Sequence, residues 1–171
     1  MQIWIVVIAL ISGYLFGSIS FARIITRLVA PDKNLDQVTI PYDSGGGHTM
    51  AAVGATTASI VLGAKWGMII SLFDILKGLL PALAFRLIFP QEIYYLFAGG
   101  AAVVGHIYPI FFRFRGGYGI SPILGSLLVL DPLGVLVTNL LGMALGFFVF
   151  REIIIVMFGG TWLMILWAWL V

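Results

Sequence analysis

Four apolar runs, residues 3–28, 66–88, 93–112 and 153–171, approach or exceed the ~20 residues an α-helix needs to cross a bilayer. A fifth, residues 133–150, is adequate. No soluble core accounts for them. The chain is 61% hydrophobic, against about 45–50% for a soluble domain. One core built from 171 residues does not hide that surplus. The excess faces lipid, so the chain reads as an all-α integral membrane protein, a compact multi-pass helical bundle forming a single domain over residues 1–171. The first run, beginning MQIWIVVIALISGYLFGSISF, lacks a basic leading segment and is long and polar-flecked for a cleaved signal. It is expected to be the first membrane helix.

Two apolar stretches are too short for a full span. Residues 49–63 are small and polar (TMAAVGATTASIVLG), and Ile120–Leu130 covers about half a bilayer at ~1.5 Å per residue. Residues 30–48 form the one hydrophilic loop, APDKNLDQVTIPYDSGGGH. Positive charge chooses among the topologies. If 49–63 dips in without crossing and Ile120–Leu130 crosses, then Arg23, Arg27, Lys33, Lys65, Arg113, Arg115 and Arg151 share one side, with only Arg86 opposite. If 49–63 crosses too, the cations split four against four, Lys77 being counted in neither case. The first arrangement obeys the positive-inside rule. It gives six crossings, both termini outside, and a re-entrant or partial segment at 49–63.

A net charge of +2 gives no case for nucleic acid. The absence of cysteine excludes disulfides and thiolate metal sites. The loop RFRGGYG, residues 113–119, concentrates arginine and glycine where charge is otherwise scarce. Glycines let backbone N–H groups converge on an anion and arginine adds charge-assisted donors, so the loop suits a phosphate. A tight turn carrying topology-setting charge is the competing reading. In FDILKG, Asp74 and Lys77 share a helix face inside an apolar run. A charge there costs ~2.5–3.5 kcal/mol, so the pair is expected to face the bundle interior, as a functional or purely structural ion pair. Arg86 is expected to snorkel to the far interface.

His106, in GHIYP, reads as a hydrogen-bonded packing residue or as an axial ligand to a haem or chlorin. No second histidine sits nearby at ligand spacing, so neither metal nor cofactor is expected. His48 is expected to be solvated. Hydrolase and metalloprotease signatures are absent, and the seven carboxylates are scattered. The tryptophans of TWLMILWAW read as interfacial or lipid-facing anchors.

Taken in order, these pieces resemble the bacterial acyl-phosphate-dependent glycerol-3-phosphate acyltransferases, small integral membrane enzymes that begin phospholipid synthesis. The resemblance rests on Gly17-Ser18-Ile19-Ser20-Phe21, Gly54-Ala55-Thr56-Thr57, Gly63, Trp66-Gly67 and Asp74-Ile75-Leu76-Lys77-Gly78. It continues through Gly105-His106-Ile107-Tyr108-Pro109 and Phe114-Arg115-Gly116-Gly117-Tyr118-Gly119. It implies a bacterial plasma-membrane location, membrane lipid as partner, and a site for acyl phosphate and glycerol 3-phosphate. Gly116, Gly117 and Gly119 would hold the acyl phosphate, Arg115 and Lys77 would screen phosphate charge, and Ser18 and Thr56 would donate hydrogen bonds. Asp74 and His106 would be structural.

The departures fall on polar contacts. Thr49-Met50-Ala51-Ala52 stands where the family has GSGN, Thr57 where it has asparagine, Ile60 where it has arginine, and Tyr118 where it has the second lysine of the glycine loop. Ile120-Ser121-Pro122 replaces V-A-T, and no RHxxN motif precedes Val171. Two readings follow. One is a membrane acyltransferase working mainly by positioning an activated donor. The other is a non-catalytic, acyltransferase-like accessory subunit of a larger membrane assembly.

Overall fold

The computed structural model describes residues 1–36, 38–41, 47–50 and 52–170. Helices dominate. The first apolar run is not one helix but two, α1 (Ile3–Gly17) and α2 (Phe21–Val29), broken at residues 18–20. The Ser18 hydroxyl donates to the Tyr14 carbonyl at 2.8 Å, the back-bonding that bends helices. Beyond the break α2 is amphipathic, with Ala22 and Thr26 buried and Ile24 and Leu28 exposed.

The bundle itself is all-helical, as expected. Outside it, part of the hydrophilic loop forms a short antiparallel pair, β1 (Val38–Pro41) with β2 (Gly47–Met50), in the register Val38↔Met50 to Pro41↔Gly47. The β-branched run VTI favours extended backbone. His48 lies in β2, but its side chain, and Ala51, fall outside what is described, so the expected solvation of His48 does too.

The segment at 49–63 is the end of β2, a short connection and α3 (Ala55–Leu62), an eight-residue helix of ~12 Å that does not cross a bilayer. Gly63, at φ +94°, turns the chain into α4 (Ala64–Ile88); that backbone region suits glycine. Next come α5 (Tyr94–Ile107), a short 3-10 turn (Ile110–Phe112), α6 (Ile120–Leu130) and α7 (Pro132–Ala144). A π-helical turn (Leu145–Phe150) extends α7, and α8 (Ile153–Leu170) follows. Four stretches among the described residues are long and apolar enough to span: Ile3–Val29, Ala64–Ile88, Tyr94–Phe112 and Pro132–Phe150.

Small residues set the helix contacts, as in membrane bundles generally. Gly13 and Gly17 of α1 face Ala98 and Ala102 of α5 so closely that a Cβ on either glycine would overlap the alanine backbone. Gly78 of α4 meets Pro122 of α6 in the same way, and Gly142 of α7 meets Gly160 of α8. Inside α4, Pro81 removes a backbone donor. The Ser126 hydroxyl, 3.3 Å from the Gly78 carbonyl, supplies a donor near the interruption. The pairings Gly13–Ala98 and Gly17–Ala102 make α1 and α5 parallel. The pairings Ser71–Ser121 and Gly78–Ser126 make α4 and α6 parallel, and α5 runs opposite to α4 and α6, with Gly99 against both Ala82 and Ser126. One end of the bundle therefore gathers the α1–α2 break, α3, the start of α4, the 113–119 loop and the start of α6.

Candidate functional site

At that end the core turns polar. Asp74 and Lys77 lie on one face of α4, each 2% exposed. The Lys77 ammonium is 3.0 Å from Asp74 Oδ1 and donates to the Ile19 carbonyl, in the α1–α2 break, at 2.8 Å. His106 of α5 brings Nδ1 to 3.7 Å from the same Asp74 oxygen. Neither that oxygen nor His106 Nδ1 has an aligned hydrogen-bond partner among the described residues, so the Lys77 contact is an ion pair. The imidazole's other nitrogen, Nε2, faces Gly117 so closely that a Cβ there would overlap it.

The glycine loop is held by backbone bonds. The Gly117 N–H donates to the His106 carbonyl at 3.2 Å, and the Val53 N–H donates to the Gly116 carbonyl at 2.8 Å. The second bond ties the loop to the segment before α3. There Thr57 acts as a local brace: its hydroxyl accepts from the Gly54 N–H at 3.0 Å and donates to the Ala52 carbonyl at 2.9 Å. Arg113 and Phe114 take left-handed backbone angles, φ 53° and 59°, which makes the bend before the glycines. Gly119, at φ 83°, delivers the chain into α6.

Between loop and bundle lies a small cavity of about 40 Å³. Its walls include Gly54, Thr56, His106, Gly117, Tyr118 and Ser121. Two helix N-termini open on it, α3 through Ala55 and Thr56 and α6 through Ile120 and Ser121. First-turn amides have no acceptor within their own helix and carry the positive end of the helix dipole, so these two ends favour an anion. The Asp74 carboxylate, which also reaches the wall, is balanced by Lys77.

The residues singled out by sequence divide among three places. Thr56, Gly117 and Gly119 line the small cavity. Ser18 and Lys77 lie in the closed polar core with Asp74 and His106. Gly116 backs on the His106 carbonyl. Arg115 lines a separate, open cavity of about 700 Å³, with Arg23, Arg27, Lys33 and Arg113. Sequence reasoning did not foresee that basic cavity; its one local sign was the Arg23/Arg27 spacing, which puts both on one helical edge. Nor did it foresee the Ile19 carbonyl as the partner of Lys77. Among the described residues no cluster of three metal-ligating side chains exists, so His106 has no co-ligands there.

The sequence profile of the glycerol-3-phosphate acyltransferase family matches residues 7–171. A glycerol-3-phosphate acyltransferase of Legionella pneumophila (strain Corby) is 34% identical over 158 residues, 92% of this chain and 46% of the relative. One from Aquifex aeolicus (strain VF5) is 38% identical over 123 residues, 71% of this chain and 58% of the relative. The chain thus spans about half the length of these relatives, 46% and 58%. Among solved structures, an integral membrane glycerol 3-phosphate acyltransferase in its glycerol 3-phosphate form superposes with a TM-score of 0.78 at 31% identity, covering 96% of this chain and 76% of that one. The lysophosphatidic acid form gives 0.66 at 34% identity, covering 82% and 64%. With the profile matched over nearly its whole length, the chain belongs to the glycerol-3-phosphate acyltransferase family.

Proposed function

We propose that this protein transfers an acyl chain from acyl phosphate to glycerol 3-phosphate at the end of the bundle where the glycine loop meets α3 and α6. One observation carries the reading: two helix N-termini and the backbone of Gly117 to Gly119 converge on one cavity, an arrangement suited to a phosphate. The donor is already activated, so positioning supplies most of the rate. The glycerol hydroxyl oxygen bonds to the acyl carbon, the acyl–phosphate C–O bond breaks, and inorganic phosphate leaves with the hydroxyl proton. Gly117 and Gly119 present the donor phosphate, with Gly116 holding the loop against the bundle. Thr56 offers a hydroxyl, and Arg115 adds long-range positive charge from the neighbouring cavity. Lys77, Asp74, Ser18 and His106 keep the floor of the site in place.

The cavity, at about 40 Å³, is far below the roughly 300–1,000 Å³ of ordinary ligand pockets. Binding therefore requires Tyr118, half exposed on its wall, to move aside. That closure also favours the second reading, an acyltransferase-like accessory subunit with other membrane proteins as partners. In either case the fold sits in a bacterial inner membrane with six crossings, Ile120–Leu130 being the short one, both termini outside and the basic end cytoplasmic. The deciding assay supplies purified protein with acyl phosphate and glycerol 3-phosphate and follows phosphate release and lysophosphatidate. Turnover above the protein-free rate is expected. No turnover, together with a stoichiometric membrane partner on purification, would establish the accessory reading.

A further inference from the structure

The open basic cavity enters the proposed acyl transfer only through the distant charge of Arg115. It shares no wall residue with the small cavity. Five cations line it, Arg23, Arg27, Lys33, Arg113 and Arg115, against two carboxylates, Asp32 and Asp36. Arg23 is held in place: it pairs with Asp36, contacts the Ser20 hydroxyl at 3.4 Å and lies 4.9 Å over the Phe112 ring. The other four form no ion pair with a described carboxylate. The cavity therefore carries a surplus of positive charge, with Arg23 tied to its wall and the other four cations exposed.

Its surroundings are apolar. Ile24 and Phe111 also line it, 41% and 60% exposed, and Ile110 (48%), Phe114 (57%) and Leu28 (78%) lie beside them in the chain. On α2 the pair Arg23/Arg27 and the pair Ile24/Leu28 form adjacent stripes at i, i+4 spacing. A helix with a basic edge beside an exposed apolar edge lies in a membrane interface. A soluble phosphate ester has no use for the apolar rim, whereas a lipid phosphate uses both parts.

From this juxtaposition we propose that the cavity between α2 and the 3-10 turn binds the phosphate headgroup of an anionic glycerophospholipid from the surrounding leaflet. The phosphate sits among Arg27, Lys33 and Arg113, and the acyl chains leave past Ile24 and Phe111. The site is independent of acyl transfer and holds equally for an accessory subunit.

The experiment uses the full chain in detergent, with phosphatidylglycerol or phosphatidylcholine titrated in and retained lipid counted by native mass spectrometry. Phosphatidylglycerol should be retained roughly tenfold or more over phosphatidylcholine. The double variant Arg27→Gln/Lys33→Gln should lose that preference by about the same factor, with an unchanged melting temperature. Arg86→Gln, at the opposite end of α4, should keep it. A melting temperature lowered by the double variant would shift the test to Arg113→Gln, for which the same loss is expected. Equal retention of the two lipids, or preference surviving in the variants, would overturn the proposal. Complete displacement of phosphatidylglycerol by millimolar inorganic phosphate would also overturn it, by showing a site for soluble phosphate.

Discussion

The Lys77 ammonium, buried in the middle of α4, donates to the Ile19 carbonyl at 2.8 Å. Two irregularities answer each other there. The chain breaks its first span at residues 18–20 and exposes a carbonyl; α4 supplies a charged donor at that depth. Asp74, 3.0 Å from the same ammonium, balances the charge. The three groups lock α4 to the end of α1 beneath the glycine loop.

Lys77→Met is therefore expected to cost about 3–5 kcal/mol, because it strands the Asp74 carboxylate in the core. The double variant Asp74→Leu/Lys77→Met should recover most of that loss. It should not reach the wild type, because the Ile19 carbonyl still lacks its donor, a penalty of about 1–3 kcal/mol. Thermal melts in one detergent test the order wild type, double, single. Equal melting of the single and double variants would show that the pair is not buried.

Tyr118→Lys should strengthen glycerol 3-phosphate binding by about tenfold or more, since a charge-assisted contact contributes roughly 1.5–3 kcal/mol. It replaces a phenol on the cavity wall with a cation. Arg115→Ala should weaken binding less than Tyr118→Lys strengthens it, because Arg115 lines the other cavity. Calorimetry on the three proteins measures both effects. No binding in any of them would leave the loop as a tight turn with topology-setting charge.

Gly17→Ala is expected to lower stability by about 1–3 kcal/mol, the usual cost of overpacking. Its new methyl group would run into the Ala102 backbone and push α1 from α5. A melting temperature equal to wild type would mean that this contact is looser than the structure shows.

Asp131, between α6 and α7, accepts from the Gly134 N–H at 2.9 Å and from the Trp167 indole at 2.7 Å. The Gly134 bond first, then the Trp167 bond, holds its carboxyl below the usual range. A lowered folded pKa stabilises the α7–α8 hairpin above the unfolded value, about 3.9, and that contribution disappears as pH falls through the folded one. Trp167 fluorescence during denaturant titration should show stability falling with acid below about pH 4. Asp131→Asn should flatten that slope.

The chain contains no cysteine, so single-cysteine labelling reads topology cleanly. Lys33→Cys and Lys65→Cys should react from one side of the membrane and Arg86→Cys from the other. Lys33→Cys and Arg86→Cys reacting from the same side would contradict the arrangement.

Much of the architecture is local and so could be read along the chain. Hydropathy alone determined that the protein lies in a membrane, because backbone and apolar side chains must be satisfied within each segment. It also delimited Ile120–Leu130 to the residue. Spacing determined that Asp74 and Lys77 face one another, since three residues along a helix is a geometric constant. The order of short glycine motifs determined the family. What the tertiary structure decided are encounters between distant parts. Lys77 and Ile19 lie 58 positions apart, and nothing near either names the other. The division of the glycine loop, with Gly117 on one cavity and Arg115 on another, depends on the left-handed turn at Arg113 and Phe114 and on where α2 and α3 pack. Periodicity says which way a side chain points from its own helix. Which neighbour it meets is settled by helix packing, here by glycines and alanines that let backbones touch.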